Sequence, residues 1–239
     1  MTIEELHTYK KILLLGYGKE GRATEKFLHI HVPKAIVTHA DQTDGLDYLQ
    51  KQNGVDLVVK TPGIPQNLVT VPYTTATNIF FANLHRFSPH AKTIGITGSK
   101  GKSTTASLIH AILVAAGKKS HLIGNIGRPM LEELLCPVGE DDWFVLELSS
   151  YQLEDVKFGP DIAVFLTFFP EHLNYHGTLE AYFNGKARIT LTQTENNLFI
   201  YHPGDSRITE LVNQTHARTL PCIPTIPFST DHIQLIGEH

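Results

Sequence analysis

The sequence contains very little cysteine. Only Cys136 and Cys222 occur among its 239 residues, and they lie far apart, without the spacing of a metal site. So few thiols argue against a secreted domain held together by disulfides, and they fit a reducing compartment. We therefore expect a cytoplasmic protein.

The sequence also lacks long apolar runs and a strong charge of either sign. The N-terminus, Met1 to Glu5, is acidic and has no apolar core, and no run approaches the roughly 18 apolar residues of a membrane-spanning helix. The formal net charge is -4, so no basic field is available for nucleic acid. We expect no export signal, no membrane span and no nucleic-acid partner, and we expect a monomer.

What is present is a repeated strand-turn-helix pattern in a chain with 41% hydrophobic residues. Nearly continuous apolar strands that alternate with helices are typical of parallel sheets covered on both faces, which is an α/β fold. Ser88-Pro89 marks a boundary between domain 1–90 and domain 91–239, and the chain is irregular beyond Thr215. Predicted strands are 11–15, 35–39, 56–59, 93–96, 121–123, 143–148, 162–168, 198–201 and 231–236; predicted helices are 23–30, 78–87, 105–116 and 179–191.

A glycine-rich loop between predicted strand 93–96 and the next helix indicates a cradle for nucleotide phosphates. Backbone N–H groups and the helix dipole converge there, Lys102 adds positive charge, and Ser103 can hold magnesium. The usual G-x-x-x-x-G-K-[ST] spacing would need glycine at Ile96, so this loop is a variant. A surface turn with an exposed lysine is the weaker alternative. The loop consists of Gly98, Ser99, Lys100, Gly101, Lys102, Ser103 and Thr104.

A second glycine motif, G-x-G-x-x-G, follows the strand 11–15 and precedes a helix. Its glycines are Gly16, Gly18 and Gly21, and this strand-to-helix setting is that of the dinucleotide-binding unit. The glycines could instead serve only a tight turn and close helix packing, and both interpretations stay open. Asp41, near the end of the next strand, stands where such a unit places an acidic residue for a ribose.

Polar residues stand at the carboxyl ends of two further apolar strands, where open α/β sheets bind ligands. Glu147 is a natural second anchor for magnesium, because a hard cation prefers a carboxylate and phosphate oxygens; a capping or surface carboxylate is the alternative. Glu171 and His172 are candidates for a second metal or for a substrate phosphate, and either could be an ordinary loop residue. From the residues alone, Lys186 is a solvated helix lysine.

Taken in order, these motifs resemble the ATP-dependent Mur ligases of peptidoglycan synthesis. The segment from Glu147 to Glu154 is similar to that of the members that add D-glutamate, and the stretch from Lys11 to Gly21 looks like their UDP-binding N-terminal domain. The residues Gly237 to His239 look like the start of the family's G-x-H-N motif. The resembling segments are Thr97 to Thr104, Gly124 to Gly127, Glu147 to Glu154, Glu171 to Gly177, and Lys186.

The resemblance implies a Rossmann-like domain that binds UDP-N-acetylmuramoyl-L-alanine, followed by a P-loop-type parallel-sheet ATPase domain. ATP would phosphorylate the substrate carboxylate, and the amine of D-glutamate would displace phosphate from the acyl phosphate. The loop from Gly98 to Thr104 would cradle ATP. The resemblance also implies that the catalytic residues are Lys102, His172 and Lys186. One magnesium would be held by Ser103 and Glu147, and a second by His172 and a carbamylated Lys186. The UDP diphosphate would face Gly16, Gly18 and Gly21, and the muramoyl-alanine part would face Asn125, Ser149 and Gln152.

The chain departs from the family pattern in several places. Lys100 stands where the family usually has Asn, Asn174 where it often has Asp, and Thr38 and His39 where some members read uracil. From the chain length we expect the middle domain to be incomplete at its C-terminal end and the C-terminal ligase domain to be absent, so that this chain cannot complete the ligation. The alternatives are a nucleotide-binding or regulatory module without catalysis, and another branch of the superfamily such as folylpolyglutamate synthetase.

Overall fold

The computed structural model describes residues 1–223 of the chain. These residues form two parallel β-sheets with helices on their faces, which confirms the predicted α/β class. The predicted strand 231–236 and the residues Gly237 to His239 lie outside the described residues.

The first sheet has four parallel strands in the order β2-β1-β3-β4. The order of its strands puts β1 between two neighbours, so the first glycine loop leaves the sheet at a topological switch point. Its elements are α1 (Ile3–Leu6), β1 (Lys11–Leu15), α2 (Lys19–His31), β2 (Ile36–Ala40), β3 (Leu57–Lys60), β4 (Tyr73–Thr75) and α3 (Ala76–Phe87).

The second sheet has six parallel strands in the order β10-β9-β8-β5-β7-β6. Here β5 lies between β7 and β8, so the phosphate loop also leaves its sheet at a switch point. Its elements are β5 (Lys92–Thr97), α4 (Lys102–Ala115), β6 (Ser120–Gly124), α5 (Met130–Glu133), β7 (Trp143–Glu147), α6 (Ser150–Leu153), β8 (Ile162–Phe165), α7 (Leu173–His176), α8 (Leu179–Ala187), β9 (Leu198–Tyr201), α9 (Ser206–Leu211) and β10 (Arg218–Pro221).

Several predicted bounds were wrong. β8 ends at Phe165 rather than at residue 168, because the Thr167 carbonyl accepts the N–H of Ser99 from the phosphate loop. The helix predicted over 179–191 ends at Ala187 and continues as a 3₁₀ turn, Arg188–Thr190. The segment after Thr215 is not all irregular: β10 pairs with β9 at the sheet edge, where Pro221 is tolerated.

One hydrophobic core runs through both sheets. It includes Ile12 and Leu57 of the first sheet and Leu146 and Phe165 of the second. The ring of Phe80 on α3 meets the ring of Phe144 on β7, with centroids 5.8 Å apart. The two sheets therefore pack against each other through shared apolar side chains.

A buried ion pair also joins the two sheets. Lys60 on β3 pairs with Asp155, which follows α6, and their side chains are 0% and 2% exposed. The Tyr73 hydroxyl donates to Asp155 Oδ1 at 2.9 Å, and Asn78 Nδ2 donates to the Asp155 carbonyl at 2.8 Å. A buried pair of this kind is costly to break, because the remaining charge is left without a partner.

Within residues 1–223, we find no helix that has both the length and the apolar character needed to span a bilayer.

Candidate nucleotide and substrate site

The glycines of the first loop, which connects β1 to α2, have two different environments. A Cβ on Gly16 would lie 1.9 Å from Thr61 Oγ1, and a Cβ on Gly21 would lie 2.4 Å from the Gly16 carbonyl oxygen. Packing therefore requires glycine at these two positions. A Cβ on Gly18 would meet nothing within 4 Å, although Gly18 is the N-cap of α2 and has no side chain to cap it. Internal packing does not explain Gly18.

Asp41 holds the first loop in place. Its Oδ2 accepts the backbone N–H of Tyr17 at 2.7 Å, and this bond is the first cause of the lowered pKa of the Asp41 carboxyl. The Tyr17 ring stacks on the His39 ring with centroids 3.8 Å apart. Asp41, predicted from its position after β2, thus fixes the loop that leads into α2.

The phosphate loop, residues Gly98 to Thr104, is bonded to its own side chains. Lys102 Nζ donates to the Ser99 carbonyl at 2.8 Å. The Ser99 hydroxyl donates to the Phe169 carbonyl and accepts the Phe169 N–H, both at 2.9 Å. Because the Thr167 carbonyl takes the Ser99 N–H, Ser99 ties the loop to the segment after β8. Gly101 begins α4 with a φ of 82°, a left-handed conformation that favours glycine.

Ser103 and Glu147 meet at the ends of α4 and β7. Ser103 Oγ donates to Glu147 Oε2 at 2.9 Å, and Asn125 Nδ2 donates to Oε1 at 3.1 Å. Glu147 is 1% exposed. A hydroxyl beside a buried carboxylate is a set of hard oxygen donors that suits Mg²⁺ when phosphate oxygens complete the coordination. Within residues 1–223 no three His, Cys, Asp or Glu side chains are grouped so as to hold a metal by themselves.

Lys186 is not the solvated helix lysine of the simplest interpretation, because it is 1% exposed. Its Nζ donates to the Gly98 carbonyl at 2.8 Å and lies 4.7 Å from the centroid of the Tyr182 ring. Burial, then the charge of Lys102, lowers the pKa of Lys186 to about 7. The structure therefore brings Lys186 to the phosphate loop.

His172 lies on the same aromatic ring. Its ring centroid is 5.9 Å from that of Tyr182 and 5.3 Å from that of Tyr151. With a φ of 55°, His172 is the one non-glycine residue with positive φ among residues 1–223. Strain of this kind concentrates at functional sites.

Glu171 and Lys100 form an ion pair at the mouth of the phosphate loop. The distance from Lys100 Nζ to Glu171 Oε1 is 2.8 Å, with the side chains 75% and 25% exposed. The hydrogen bond from Lys100 lowers the pKa of Glu171. Lys100 thus has a partner on the segment that carries His172.

A cavity of about 560 Å³ opens between the two sheets. It brings together the predicted substrate residues Asn125, Ser149 and Gln152. Ser149 and Gln152 also cap α6 reciprocally: Gln152 N donates to Ser149 Oγ at 3.3 Å and Ser149 N donates to Gln152 Oε1 at 3.0 Å. The whole lining is Lys19, Glu20, Pro62, Gly63, Gly124, Asn125, Ile126, Gly127, Pro129, Ser149, Tyr151 and Gln152.

Sequence reasoning did not single out several residues of this cavity, among them Lys19, Glu20, Pro62 and Gly63. Lys19 and Glu20 lie between the second and third glycines of the G-x-G-x-x-G motif, so the motif contained a signal for them. Pro62 and Gly63 follow β3, and only the parallel pairing of β3 with β1 places them beside the first loop.

Comparisons with known proteins agree with this geometry. The family described as the Mur ligase middle domain matches residues 96–235. A UDP-N-acetylmuramoylalanine--D-glutamate ligase of Geobacillus sp. (strain WCH70) is 34% identical over 233 residues, covering 87% of this chain and 51% of the relative. A UDP-N-acetylmuramoyl-L-alanine--L-glutamate ligase of Xylella fastidiosa (strain 9a5c) is 34% identical over 229 residues, covering 84% and 48%. The chain spans about half the length of these curated relatives.

Solved structures share the fold. The UDP-N-acetylmuramate:L-alanyl-gamma-D-glutamyl-meso-diaminopimelate ligase from Neisseria meningitides matches with a TM-score of 0.55 and 16% identity, over 88% of this chain and 77% of that one. The MurF ligase from Thermotoga maritima, solved in complex with ADP, matches with a TM-score of 0.51 and 18% identity, over 90% and 50%. With the family match over more than half of the sequence and a phosphate loop in the expected place, this chain belongs to the Mur ligase family.

Proposed function

We propose that this chain supplies the UDP-substrate site and the ATP site of a ligase that adds glutamate to UDP-N-acetylmuramoyl-L-alanine. The observation that carries the proposal is the position of the cavity. It lies between the two glycine loops and shares Asn125 with the Ser103–Glu147 pair. A substrate held in the cavity by its UDP part would then present its other end to the phosphate loop.

The reaction has two chemical steps. The γ-phosphoryl group of ATP is transferred to the alanine carboxylate, which forms an acyl phosphate and ADP; the amine of glutamate then attacks the acyl carbon, and phosphate leaves. Phosphoryl transfer needs positioning and neutralisation of charge more than covalent help. Lys102 and the backbone N–H groups at the start of α4 supply positive potential, and Gly18 leaves the start of α2 open to the diphosphate.

Magnesium fits the Ser103–Glu147 pair. Both side chains offer oxygen, and Glu147 is buried and oriented by Asn125. When bound there, the cation would neutralise charge on the ATP phosphates. Glu147→Gln should therefore weaken magnesium-dependent ATP binding and leave binding of the UDP substrate unchanged, as measured by calorimetry.

For a second magnesium, we propose His172 and a carbamylated Lys186. An unmodified ammonium would repel a cation, whereas a carbamate offers oxygen ligands. In carbamate formation the Lys186 amine bonds to the carbon of CO₂ and releases one proton. Lys186 is buried, and no carboxylate within residues 1–223 forms an ion pair with it. Lys186 and His172 both lie beside the Tyr182 ring. These observations support this role.

The carbamate has a direct test. In ¹³C-bicarbonate, the protein should give a carbamate carbon signal that the Lys186→Ala variant lacks. The control is Lys157→Ala, which should keep the signal, because Lys157 lies outside the site and its hydrogen bond to Asn78 is made by the backbone N–H. If short carboxylic acids restore the metal-dependent function of the Lys186→Ala variant, the proposal is supported. Full function of that variant without any added acid would contradict it.

The stereochemistry of the amino acid is a further point. The segment from Glu147 to Glu154 favours D-glutamate, but the matched relatives include an L-glutamate ligase at the same 34% identity as the D-glutamate ligase. We propose D-glutamate. Where product forms, a ligation assay with each enantiomer, which follows ADP release and the glutamyl product, decides between them.

Binding experiments test the proposal as a whole. Calorimetry should detect UDP-N-acetylmuramoyl-L-alanine and ATP at separate sites on the 239-residue chain. If ATP binds and the UDP substrate does not, although the protein is folded, the chain is a nucleotide-binding module of another kind. If both bind but neither glutamate enantiomer yields product, the chain binds the substrates without completing the ligation.

A further inference from the structure

Glu20 carries a half-buried carboxyl group that the proposed reaction does not use. It is the second residue of α2, just after the first glycine loop, and it lines the cavity between the sheets. Its Oε1 is shielded from solvent and has no hydrogen-bond partner among residues 1–223. Buried polar atoms nearly always have a hydrogen-bond partner. The group that forms a hydrogen bond with Glu20 Oε1 therefore lies outside the described protein atoms.

The charges around Glu20 do not favour a second anion. Lys60 is the cation that acts on it, and Lys60 already pairs with Asp155 and donates to the Ile64 carbonyl at 2.9 Å. Two carboxyl groups therefore share one ammonium. Burial raises the pKa of Glu20 to about 7, and Lys60 opposes that rise. The other titratable side chains of the cavity are Lys19 and Tyr151.

The place of Glu20 conflicts with the ligand that the first loop should attract. The start of α2 favours an anion, because its first N–H groups have no side-chain cap. An ionised Glu20 on the first turn would repel a diphosphate in a partly desolvated cavity. A neutral carboxylic acid would remove the repulsion and add a donor.

We propose that Glu20 binds the UDP-linked substrate as a carboxylic acid and donates its O–H to an oxygen of the diphosphate, so that substrate and proton enter the site together. The proton comes from solvent, goes to the Glu20 carboxylate, and no other bond is made or broken. This inference rests on the proposed function, because it assigns the diphosphate to the cavity. It makes Glu20 a binding residue that distinguishes a diphosphate from a neutral sugar.

The consequence is a defined dependence on pH. Below the pKa of free Glu20 the acid form is already present, and the dissociation constant is flat. Above it, protonation must accompany binding, so affinity falls by up to about tenfold per pH unit. For a pKa of about 7, binding should be roughly 30-fold weaker at pH 8.5 than at pH 6, and about one proton should be taken up per substrate at pH 8.

Calorimetry on the 239-residue chain measures both effects. Titrations with UDP-N-acetylmuramoyl-L-alanine and with UDP-glucose, whose diphosphates are esterified at both ends and do not titrate at pH 6 to 8.5, give affinity and proton uptake in buffers of different ionisation enthalpy. Glu20→Gln keeps a donor without a charge, so its affinity should change less than about twofold over this range and should exceed that of the wild type at pH 8.5. Glu210→Gln, on the exposed face of α9, is the matched control and should keep the wild-type profile.

The outcomes separate the two proposals. If the wild type binds neither probe at pH 6, the proposed function fails. If it binds both with no proton uptake and no change in affinity, the role of Glu20 is wrong and a solvent molecule satisfies its buried oxygen. Because proton uptake is measured on the wild type, the test holds even if Glu20→Gln does not fold; its fold and its ATP affinity are checked separately.

Discussion

The two glycine loops of this protein have equivalent positions in their sheets but differ in how their polar groups are hydrogen-bonded. Each follows a strand at the switch point of a parallel sheet and leads into a helix. Around the phosphate loop, the polar groups are bonded to each other: Lys102 to Ser99, Ser103 to Glu147, and Lys186 to Gly98. Around the first loop, Gly18 faces open space, and Glu20 Oε1 is buried with no hydrogen-bond partner in the part of the chain that the structure describes.

The difference shows how ligand binding must proceed at each loop. A nucleotide at the phosphate loop has to replace internal hydrogen bonds, so its net affinity is the difference between two sets of contacts. A ligand at the first loop gains contacts without breaking any that the structure shows. The first loop should therefore respond to changes in charge, and the phosphate loop to the loss of individual donors.

The largest effect is expected where the two regions join. Asp155→Asn removes the carboxylate that is paired directly with the buried Lys60 ammonium, which should lower the free energy of unfolding by about 3–5 kcal/mol. Urea unfolding measures the change. The double variant Lys60→Met, Asp155→Asn should recover part of the loss. A single variant as stable as the wild type would show that the sheets do not depend on this pair.

Within the first loop, Gly16→Ala and Gly18→Ala form a matched pair. Gly16 has a φ of 92° and no room for a Cβ, whereas Gly18 has both room and an ordinary φ of -75°. Gly16→Ala should cost about 2–4 kcal/mol of stability, and Gly18→Ala less than about 0.5 kcal/mol while weakening binding of the UDP substrate. Equal stability of the two variants would contradict the packing role of Gly16.

In the phosphate loop, Lys102→Ala should weaken ATP binding by about 10–100-fold, because a charged donor contributes about 1.5–3 kcal/mol. Binding of the UDP substrate should stay unchanged, since the cavity does not include Lys102. Calorimetry with each ligand gives both numbers, and Lys118→Ala, at an exposed position just after α4, is the control. Equal loss of both ligands would show that the two sites are not independent.

A smaller effect, which depends on pH, is expected at His121 on β6. His121 lies between Glu133 Oε1 and Asp142 Oδ2, each 2.7 Å from a ring nitrogen. The hydrogen bond to Glu133, supported by Asp142, raises the pKa of His121. A raised pKa in the folded state means stabilisation that is full below about pH 6.5 and is lost as pH rises through the raised pKa.

Urea unfolding checks this sign. The wild type should lose stability relative to His121→Gln as pH rises from 6 to 8.5, because the pKa of His121 is raised in the folded state. His110→Gln, which removes one hydrogen bond to Ser120, serves as the control and should run parallel to the wild type. A His121→Gln curve parallel to the wild type would refute the assignment.

The smallest effect is expected at Lys100. Its pair with Glu171 is largely exposed on the lysine side, and such pairs contribute about 0–1 kcal/mol. Lys100→Asn should change stability little and ATP affinity by a few fold at most. The change should shrink in high salt, because surface charges are screened. A salt-independent change would place Lys100 in direct contact with nucleotide.

Much of the fold could be predicted locally. The strand 198–201 was predicted with its observed bounds, and both loops were found between a strand and a helix. β4 and β10 were missed because each is a short edge strand that depends on its neighbour for pairing. The division at residue 90 stays a prediction: the sheets separate there along the chain, yet they share one core.

By itself, the sequence determined the α/β class, the two loops and the order of the polar motifs, because apolar periodicity and glycine spacing are local properties of the chain. Only the tertiary structure decided that Lys186 is buried against the phosphate loop, that Lys60 is paired with Asp155, and that Glu20 shares a cavity with Asn125 and Gln152. Burial and charge balance depend on which strands become neighbours, and parallel pairing joins segments that lie far apart in the sequence.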